Sequence, residues 1–586
     1  MQLRYLQVVN FRGIASLKWQ PNHSFCCLIG PGDSGNSTVL EAGEAALSPR
    51  WLAFSEADFL GGNTANPITV EATVGELSRE LQSDERFGLY IRGWTKDRAL
   101  RDEPEDDDEA VLTVRLTVDA TLEPSWEVVC DRMSEPRTIS NRDRTLFGLV
   151  RLAGDDARHL AWGQGSVLSR LTGDKEEAAN RLAVAYRSAR ESAKLGDIPS
   201  LASAAKVAEV CAKQLGAYVE GAYSPGLELG RGGISSGAIS LHDKQVPLRM
   251  AGLGTRRLAT LAIQKSGIRE GAIVLVDEIE QGLEPHRIIG AIAQLRADHA
   301  TSKLQGQPVG QVLITTHSDV ALGEAGTQGL FVAHTTRPAR ETTLCAPSFP
   351  DPINALLRFT PRALFARRIL VCEGMTEVGL LLGLREHWPP HHGGQPIEQR
   401  GSCIADGNGD QACSMALSLA GMGYCIALYR DSDKHLGQEE TSSLANAGIS
   451  VFEYGHGLNT EAAIIMAADD TQVQALLEHA REERGTETVN TQLARHIPAL
   501  GSAGVALPFS SWAATSNLPG DALRRAIAEV AIGVATPPPS TKKTKAWFKD
   551  QRIARGLAKL VWSIAKSSPS TPLATTISAT EAWLYG

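Results

Sequence analysis

Arg368-Ile-Leu-Val-Cys372-Glu373-Gly374-Met-Thr-Glu377-Val-Gly-Leu-Leu-Leu382 reads as a buried strand, a tight turn and an apolar helix. Glu373 falls at the carboxyl end of the strand and Glu377 in the first helical turn, where open α/β sheets form their ligand crevice. A second apolar run, Tyr424-Cys-Ile-Ala-Leu-Tyr429, ends in Arg430-Asp431-Ser432-Asp433. In an extended chain Asp431 and Asp433 point the same way. Four acids delivered to two strand ends repel one another unless a cation lies between them. Hard oxygen ligands with room for water suit Mg²⁺ or Mn²⁺. The pattern predicts a metal site for phosphate chemistry.

Composition narrows the class. The 586 residues, 43% hydrophobic and 21% charged, are an ordinary globular mixture long enough for more than one domain. Nine scattered cysteines without a Cys-x-x-Cys pair point to neither a disulfide framework nor a zinc ribbon, and a reducing cytoplasm is the default. Met1-Gln-Leu-Arg-Tyr-Leu6 lacks the apolar core of a signal peptide, and no apolar run approaches membrane-spanning length. A cytoplasmic protein without membrane contact is expected. A net charge of −9 argues against coating nucleic acid with the whole surface, so DNA contact must come from local basic patches.

Near the start, Leu3 to Val9 is strand-like and Ser24-Phe-Cys-Cys-Leu-Ile29 is a buried strand running into Gly30-Pro-Gly-Asp-Ser-Gly35-Asn36-Ser37-Thr38. Helical Val39 to Leu47 follows. Strand, glycine loop and helix are the context of a phosphate-binding loop for ATP and Mg²⁺. Every fixed position of Gly-x-x-x-x-Gly-Lys-Ser/Thr is matched except one, because Asn36 stands where the lysine should be. Loop amides can still hold phosphate and Ser37 can still ligate Mg²⁺, but the point charge on the β and γ phosphates is missing.

Downstream, Gly271-Ala-Ile-Val-Leu-Val-Asp277-Glu278 is an apolar strand ending in two acids. Asp277 would hold Mg²⁺ and Glu278 would polarise the attacking water. Glu280-Gln-Gly-Leu-Glu284-Pro285 follows, and Val312-Leu-Ile-Thr-Thr-His317 ends a strand in a histidine. Gly252-Leu-Gly254-Thr-Arg256-Arg257-Leu258 resembles the signature of ABC-type ATPases, which greets the γ-phosphate held by a second copy. These parts in this order predict an ABC-type ATPase head over residues 1–350. Ile68–Val74 and Ala110–Val118 alternate as half-buried antiparallel strands. Asp102–Glu109 between them is expected to be an unpacked, solvated loop. A helical segment about 150–230, with Leu182, Tyr186 and Ala189 near one face, is a candidate dimerisation insertion. From Pro338 to Pro361 no long periodic pattern is read, which puts the domain boundary there, and Thr360-Pro361 reads as a helix N-cap with a proline at N1.

The Glu373-Gly-x-x-Glu377 and Asp431-x-Asp433 elements resemble the Toprim fold of topoisomerases, primases and some nucleases. An ABC head followed by a Toprim domain over 351–586 resembles the OLD (overcoming lysogenization defect) family of ATP-dependent endonucleases. The resemblance implies an α/β protein whose ATPase head controls a DNA endonuclease, assembled as a homodimer or higher oligomer. Members encoded beside a superfamily-one helicase act in Gabija-like antiphage defence, which would add that helicase as a partner. It implies two Mg²⁺ or Mn²⁺ ions on Glu373, Glu377, Asp431 and Asp433, with Asp406 and Glu461 as further ligands. Lys549, in Lys545-Ala-Trp547-Phe548-Lys549, would stabilise the scissile phosphate. Around it Lys542, Lys543, Lys545, Arg552, Arg555 and Lys559 form a basic patch interleaved with Trp547 and Phe548, read as DNA-contacting and preceded by the stiff Pro537–Pro539. Topoisomerase is disfavoured by the lack of a tyrosine-bearing cleavage domain, and primase by the lack of zinc-binding cysteines. A Toprim ribonuclease and a non-cleaving, nucleotide-dependent DNA clamp remain the alternatives.

Overall fold

The computed structural model of the protein describes residues 1–49, 52–152, 160–162, 166, 168, 195–227, 239–269, 272–304, 310–533 and 545–586. They divide into two compact units, Met1–Ala346 and Pro347–Gly586.

In the first unit the strands Val150–Leu152, Ile273–Val276, Gln311–Thr315, Phe25–Ile29 and Leu330–Thr335 lie side by side in that order, all parallel. Phe25–Ile29, Ile273–Val276 and Gln311–Thr315 are buried along their whole length, as strands covered on both faces must be. Their sequences therefore read as continuous apolar runs. The sheet continues through Glu341–Cys345, Ile14–Trp19 and Gln2–Phe11 to the antiparallel pair Ile68–Gly75 and Glu109–Val118. There Ile68, Val70, Ala72 and Val74 point into the core at every second residue.

Two readings of this unit need correction. The acidic run is not wholly unpacked, because Asp102 accepts hydrogen bonds from the amides of Asp131 (2.8 Å) and Arg132 (2.6 Å) and faces Arg92 at 3.2 Å. An aspartate that pairs with two amides and a guanidinium is part of the fold. The segment 338–361 is also better ordered than its composition suggested. It holds the strand Glu341–Cys345 and the helix Pro350–Phe359, which buries Ile353, Leu356 and Leu357 at helical spacing. Pro361 does open a short 3₁₀ helix, but the Thr360 side chain does not cap it. Leu182, Tyr186 and Ala189 lie outside the described residues. The described part of that segment includes the helix Pro199–Gln214.

The second unit is built on four parallel strands in the order Ser402–Asp406, Arg368–Cys372, Cys425–Arg430, Ser450–Glu453. The first strand in the chain lies between the second and the third, so the connections diverge at the ends of Arg368–Cys372 and Cys425–Arg430. That divergence opens the crevice of a doubly wound sheet. Glu373 and Asp431 are the residues immediately past these two strands. Helix Met375–Leu384 follows and is buried from Thr376 to Leu384. Its two glycines let the helix Gln551–Gly556 come close: a methyl added at Gly379 would meet Ala554 Cβ at 2.8 Å, and one at Gly383 would meet the Arg555 carbonyl at 2.7 Å. No helix among the described residues is long and apolar enough to cross a membrane.

Candidate functional site

In the first unit the loop between Phe25–Ile29 and helix Asn36–Leu47 is shaped by its glycines. A methyl at Gly30 would lie 2.5 Å from the Ala333 carbonyl, and Gly35 has a φ of 90°, in the left-handed region. Asn36 is 6% exposed, and its Nδ2 has no hydrogen-bond partner among the described residues. Ser37 donates to Asp277 Oδ1 at 2.9 Å, Thr315 donates to the same oxygen at 2.6 Å, and Arg151 donates to Oδ2 at 2.9 Å. Thr38 follows Ser37 in the first helical turn. Glu278 is exposed, adopts a φ of 46°, and its amide donates to Thr315 Oγ1 at 2.8 Å. Gly254 begins helix Leu253–Arg269, where an added methyl would lie 2.8 Å from the Gly282 carbonyl. His317 is exposed just past Gln311–Thr315, and its amide donates to Glu280 at 2.7 Å.

In the second unit the acids converge on a hydroxyl that sequence reasoning missed. Thr460 Oγ1 lies 2.8 Å from Glu377 Oε1, 3.0 Å from Asp431 Oδ1 and 3.2 Å from the Tyr454 hydroxyl, which in turn lies 2.7 Å from Tyr429 OH. The Thr460 amide also donates to Asp431 Oδ1 at 2.8 Å. One hydroxyl carries one proton, so it cannot satisfy two carboxylates at once. Glu377 and Glu461 are 5% and 6% exposed, and no ion pair to Glu377, Asp431 or Glu461 forms among the described residues. Burial first, then Asp431, pushes Glu461 up to about 7. Burial and mutual repulsion likewise raise Glu377 and Asp431 well above the ordinary carboxylate range.

Glu373 is partly exposed, accepts from the Asp431 amide at 3.2 Å and lies 3.8 Å from Arg430 Nε. Asp433 is exposed, yet its charge contributes to the raised pKa of both Asp431 and Glu461. Asp406 ends Ser402–Asp406 opposite Cys372 and accepts from the Asn408 amide at 2.9 Å, on the far side of Arg368–Cys372 from Asp431. Lys549 is exposed, and its charge works against the upward shift of Glu461.

The proposed basic surface is thinner than its sequence suggested. Trp547 and Phe548 are each 1% exposed and belong to the core, so they offer no stacking surface to DNA. Arg552 pairs with Glu483 at 2.5 Å, and Arg555 pairs with Glu386. Lys542, Lys543 and Pro537–Pro539 lie outside the described residues.

Residues 176–323 match the family described as "AAA domain, putative AbiEii toxin, Type IV TA system". The first unit thus contains a segment that matches an AAA-type ATPase domain. Among the solved structures similar to the chain are three SMC heads. One is an SMC head bound to the C-winged helix domain of ScpA, at 15% identity over 59% of this chain and 98% of that one, with a TM-score of 0.36. A second is an SMC head with an extended coiled coil bound to the C-terminal domain of ScpA, derived from Pyrococcus furiosus, at 14% identity over 61% and 98%, with a TM-score of 0.37. The third is the SMC head domain from Thermotoga maritima, at 13% identity over 60% and 100%, with a TM-score of 0.29. No curated protein matches the sequence.

Within the ATPase domain the cations Arg151 and Arg337 are each engaged by acids. Arg337 lies 3.6 Å from Asp33 of the loop, and Arg151 bonds Glu44 at 2.8 Å and Asp277 at 2.9 Å, and lies 3.5 Å from Glu41. Three carboxylates share one guanidinium, so Arg151 offers no surplus positive charge to a phosphate. Arg256, the partner-supplied cation that could have compensated, donates to the Arg249 carbonyl at 2.9 Å in its own chain.

Among the described residues no three His, Cys, Asp or Glu side chains form a preassembled metal cage. Thr460 explains this, because its hydroxyl lies between Glu377 and Asp431. The donor set nevertheless fits a hard divalent cation: all the candidate ligands are carboxylate oxygens, and Glu377, Asp431 and Glu461 have no ion-pair partner among the described residues. Glu461 keeps its proton to about 7 in the fold against the ordinary glutamate range when unfolded. The folded state therefore binds more protons between about 4.5 and about 7, and stability falls as pH rises through that window. A cation reverses the penalty. Saturating Mn²⁺ should raise the melting temperature by about 5 °C at pH 8 and by much less at pH 6, where protons compete. Equal shifts at both pH values in a calorimetric titration would contradict binding at these acids.

Proposed function

We propose that the protein is a metal-dependent DNA endonuclease of the OLD family, in which a Toprim nuclease domain is governed by the ATPase domain. The observation that carries this reading is the set of buried Glu377 and Glu461 and half-buried Asp431 at the crevice of a parallel sheet, without an ion-pair partner among the described residues, with Glu373 and Asp433 at its mouth. Bound Mg²⁺ or Mn²⁺ would supply an activated water and stabilise the leaving 3′ oxygen. Glu377, Asp431 and Glu461 form the floor of the cation site, and Glu373 and Asp433 complete it from the solvent side. Asp406 is assigned a lesser place, since it ends the neighbouring strand. Lys549 meets the scissile phosphate beside Glu461. Thr460 holds Glu377 and Asp431 together while they exchange their proton for a cation.

Antiphage defence is the biological setting we favour. The family description of the matched segment names a toxin of a type IV toxin–antitoxin system, and a nuclease held in check by an ATPase suits such a role. The direct test is cleavage of supercoiled plasmid by the purified protein with Mg²⁺ or Mn²⁺. Single-stranded RNA is run in parallel, because preferential RNA cutting would move the reading to a ribonuclease.

Assembly follows from the ATPase part. A glycine signature such as that at Gly254 completes a nucleotide site on another copy, so the protein should be at least a dimer. Light scattering that reports a monomer with and without nucleotide removes this part of the proposal.

A further inference from the structure

Beside the acids lies a cavity of about 400 Å³ between helix Gln438–Asn446 and the edge strand Ser450–Glu453. Its inner wall is apolar, built from Leu444, Ile449 and Val451, and its rim carries His435 and His456. Arg430 belongs to both this wall and the acidic site. It is 6% exposed, bonds Glu453 at 3.1 Å and the Lys434 carbonyl at 2.6 Å, and approaches Glu373 at 3.8 Å. Ser432, between Asp431 and Asp433, also lines the cavity and ties down its far loop: its amide donates to the Leu458 carbonyl at 3.0 Å, and its hydroxyl lies 2.8 Å from the Gly455 carbonyl and 2.9 Å from that of Leu458. That loop places His456 at a φ of 54°, between Gly455 and Gly457 at 73° and 68°.

The chemistry selects the ligand class. Arg430 is spent on Glu453, a backbone carbonyl and Glu373, so the cavity has no spare cation for an anionic group. An apolar wall with two imidazoles at the rim suits a flat, neutral aromatic ring that stacks and accepts a few hydrogen bonds. The volume lies in the range of small-ligand sites. We propose that this cavity binds a nucleobase, unstacked from the strand whose phosphate lies at the acids. The inference rests on the nuclease reading and gives that site its substrate form: a single strand, or a duplex from which one base is extruded.

The test uses the full protein with Ca²⁺ in place of a catalytic metal and a single-stranded oligonucleotide carrying one 2-aminopurine, whose fluorescence changes when the base leaves its stack. Wild type should give a saturable signal. Ala445→Trp, which fills the cavity from an exposed helix position, and His456→Ala, on the rim, should each weaken binding about tenfold or more. Competition with deoxyadenosine 5′-monophosphate separates the two sources of the base: displacement at the same concentration as the oligonucleotide assigns the cavity to free nucleotides, and weak displacement assigns it to the strand. Unchanged binding in both variants overturns the cavity assignment, whether or not the protein cuts DNA. Failure of plasmid cleavage alongside a cavity-dependent signal overturns only the nuclease reading.

Discussion

Glu377→Ala and Asp431→Ala should each reduce plasmid cleavage to background, a loss of about 10²–10³-fold or more. Glu377 is buried, Asp431 is half-buried, and they share the Thr460 hydroxyl, so neither can be replaced by a neighbour rotating in. Deleting Glu377 also relieves Asp431 of a like charge, and Asp431 should then titrate closer to the ordinary carboxylate range. The two effects can be read separately, as loss of product on gels and as a downward shift of the remaining carboxyl resonance in NMR titration. The reciprocal control is Glu398→Ala, an exposed acid that pairs with Arg385, which leaves the cluster intact and should retain most activity. Cutting that persists in both alanine variants, with contaminating nuclease excluded by a purification blank, would remove the assigned site.

Asn36→Lys should raise ATP turnover by about 10²–10³-fold without altering the carboxylate cluster in the other unit. Asn36 is buried with its amide nitrogen unpartnered, so the loop leaves an unsatisfied donor where a flexible ammonium would meet phosphate. A neutral amide cannot stabilise charge developing on the β–γ bridge. Arg151 does not make up the difference, because Glu44, Asp277 and Glu41 already neutralise it. Steady-state hydrolysis of both forms at saturating Mg·ATP decides the matter. If the asparagine form already matches the lysine form, a cation from a second copy completes the site and the disabled-loop account is wrong.

The parts of the molecule legible in the sequence are those encoded within a dozen residues. The strand, turn and helix from Arg368 to Leu384 were readable because parallel strands buried on both faces leave unbroken apolar runs, and because acids collect at their carboxyl ends. The phosphate loop was readable for the same reason. Contacts formed across the chain were not readable. Thr460 joins Glu377 and Asp431 from a separate helix, and Arg151 reaches Asp277 from a strand far away in sequence. The signal for Thr460 was faint but present, in the Asn459-Thr460-Glu461 helix start. Trp547 and Phe548 mislead because lysines surround them, and charge on the neighbouring residues of the turn before helix Gln551–Gly556 says nothing about where the intervening aromatics point. The helix Pro350–Phe359 was overlooked because prolines near its start outweighed the Ile353, Leu356, Leu357 spacing.

The close approach of Gly379 and Gly383 to the helix Gln551–Gly556 bears on when the protein can act during its own synthesis. The helix that carries Glu377 is among the first elements of its unit to leave the ribosome, yet the surface it packs on is among the last. Until that late segment arrives, an apolar helix lacks its cover and Lys549 does not yet exist beside Glu461. Closing so long a loop is slow and cooperative. On the nuclease reading proposed above, a chain cut short by stalled translation would thus carry all four motif carboxylates and still lack the late segment that covers them.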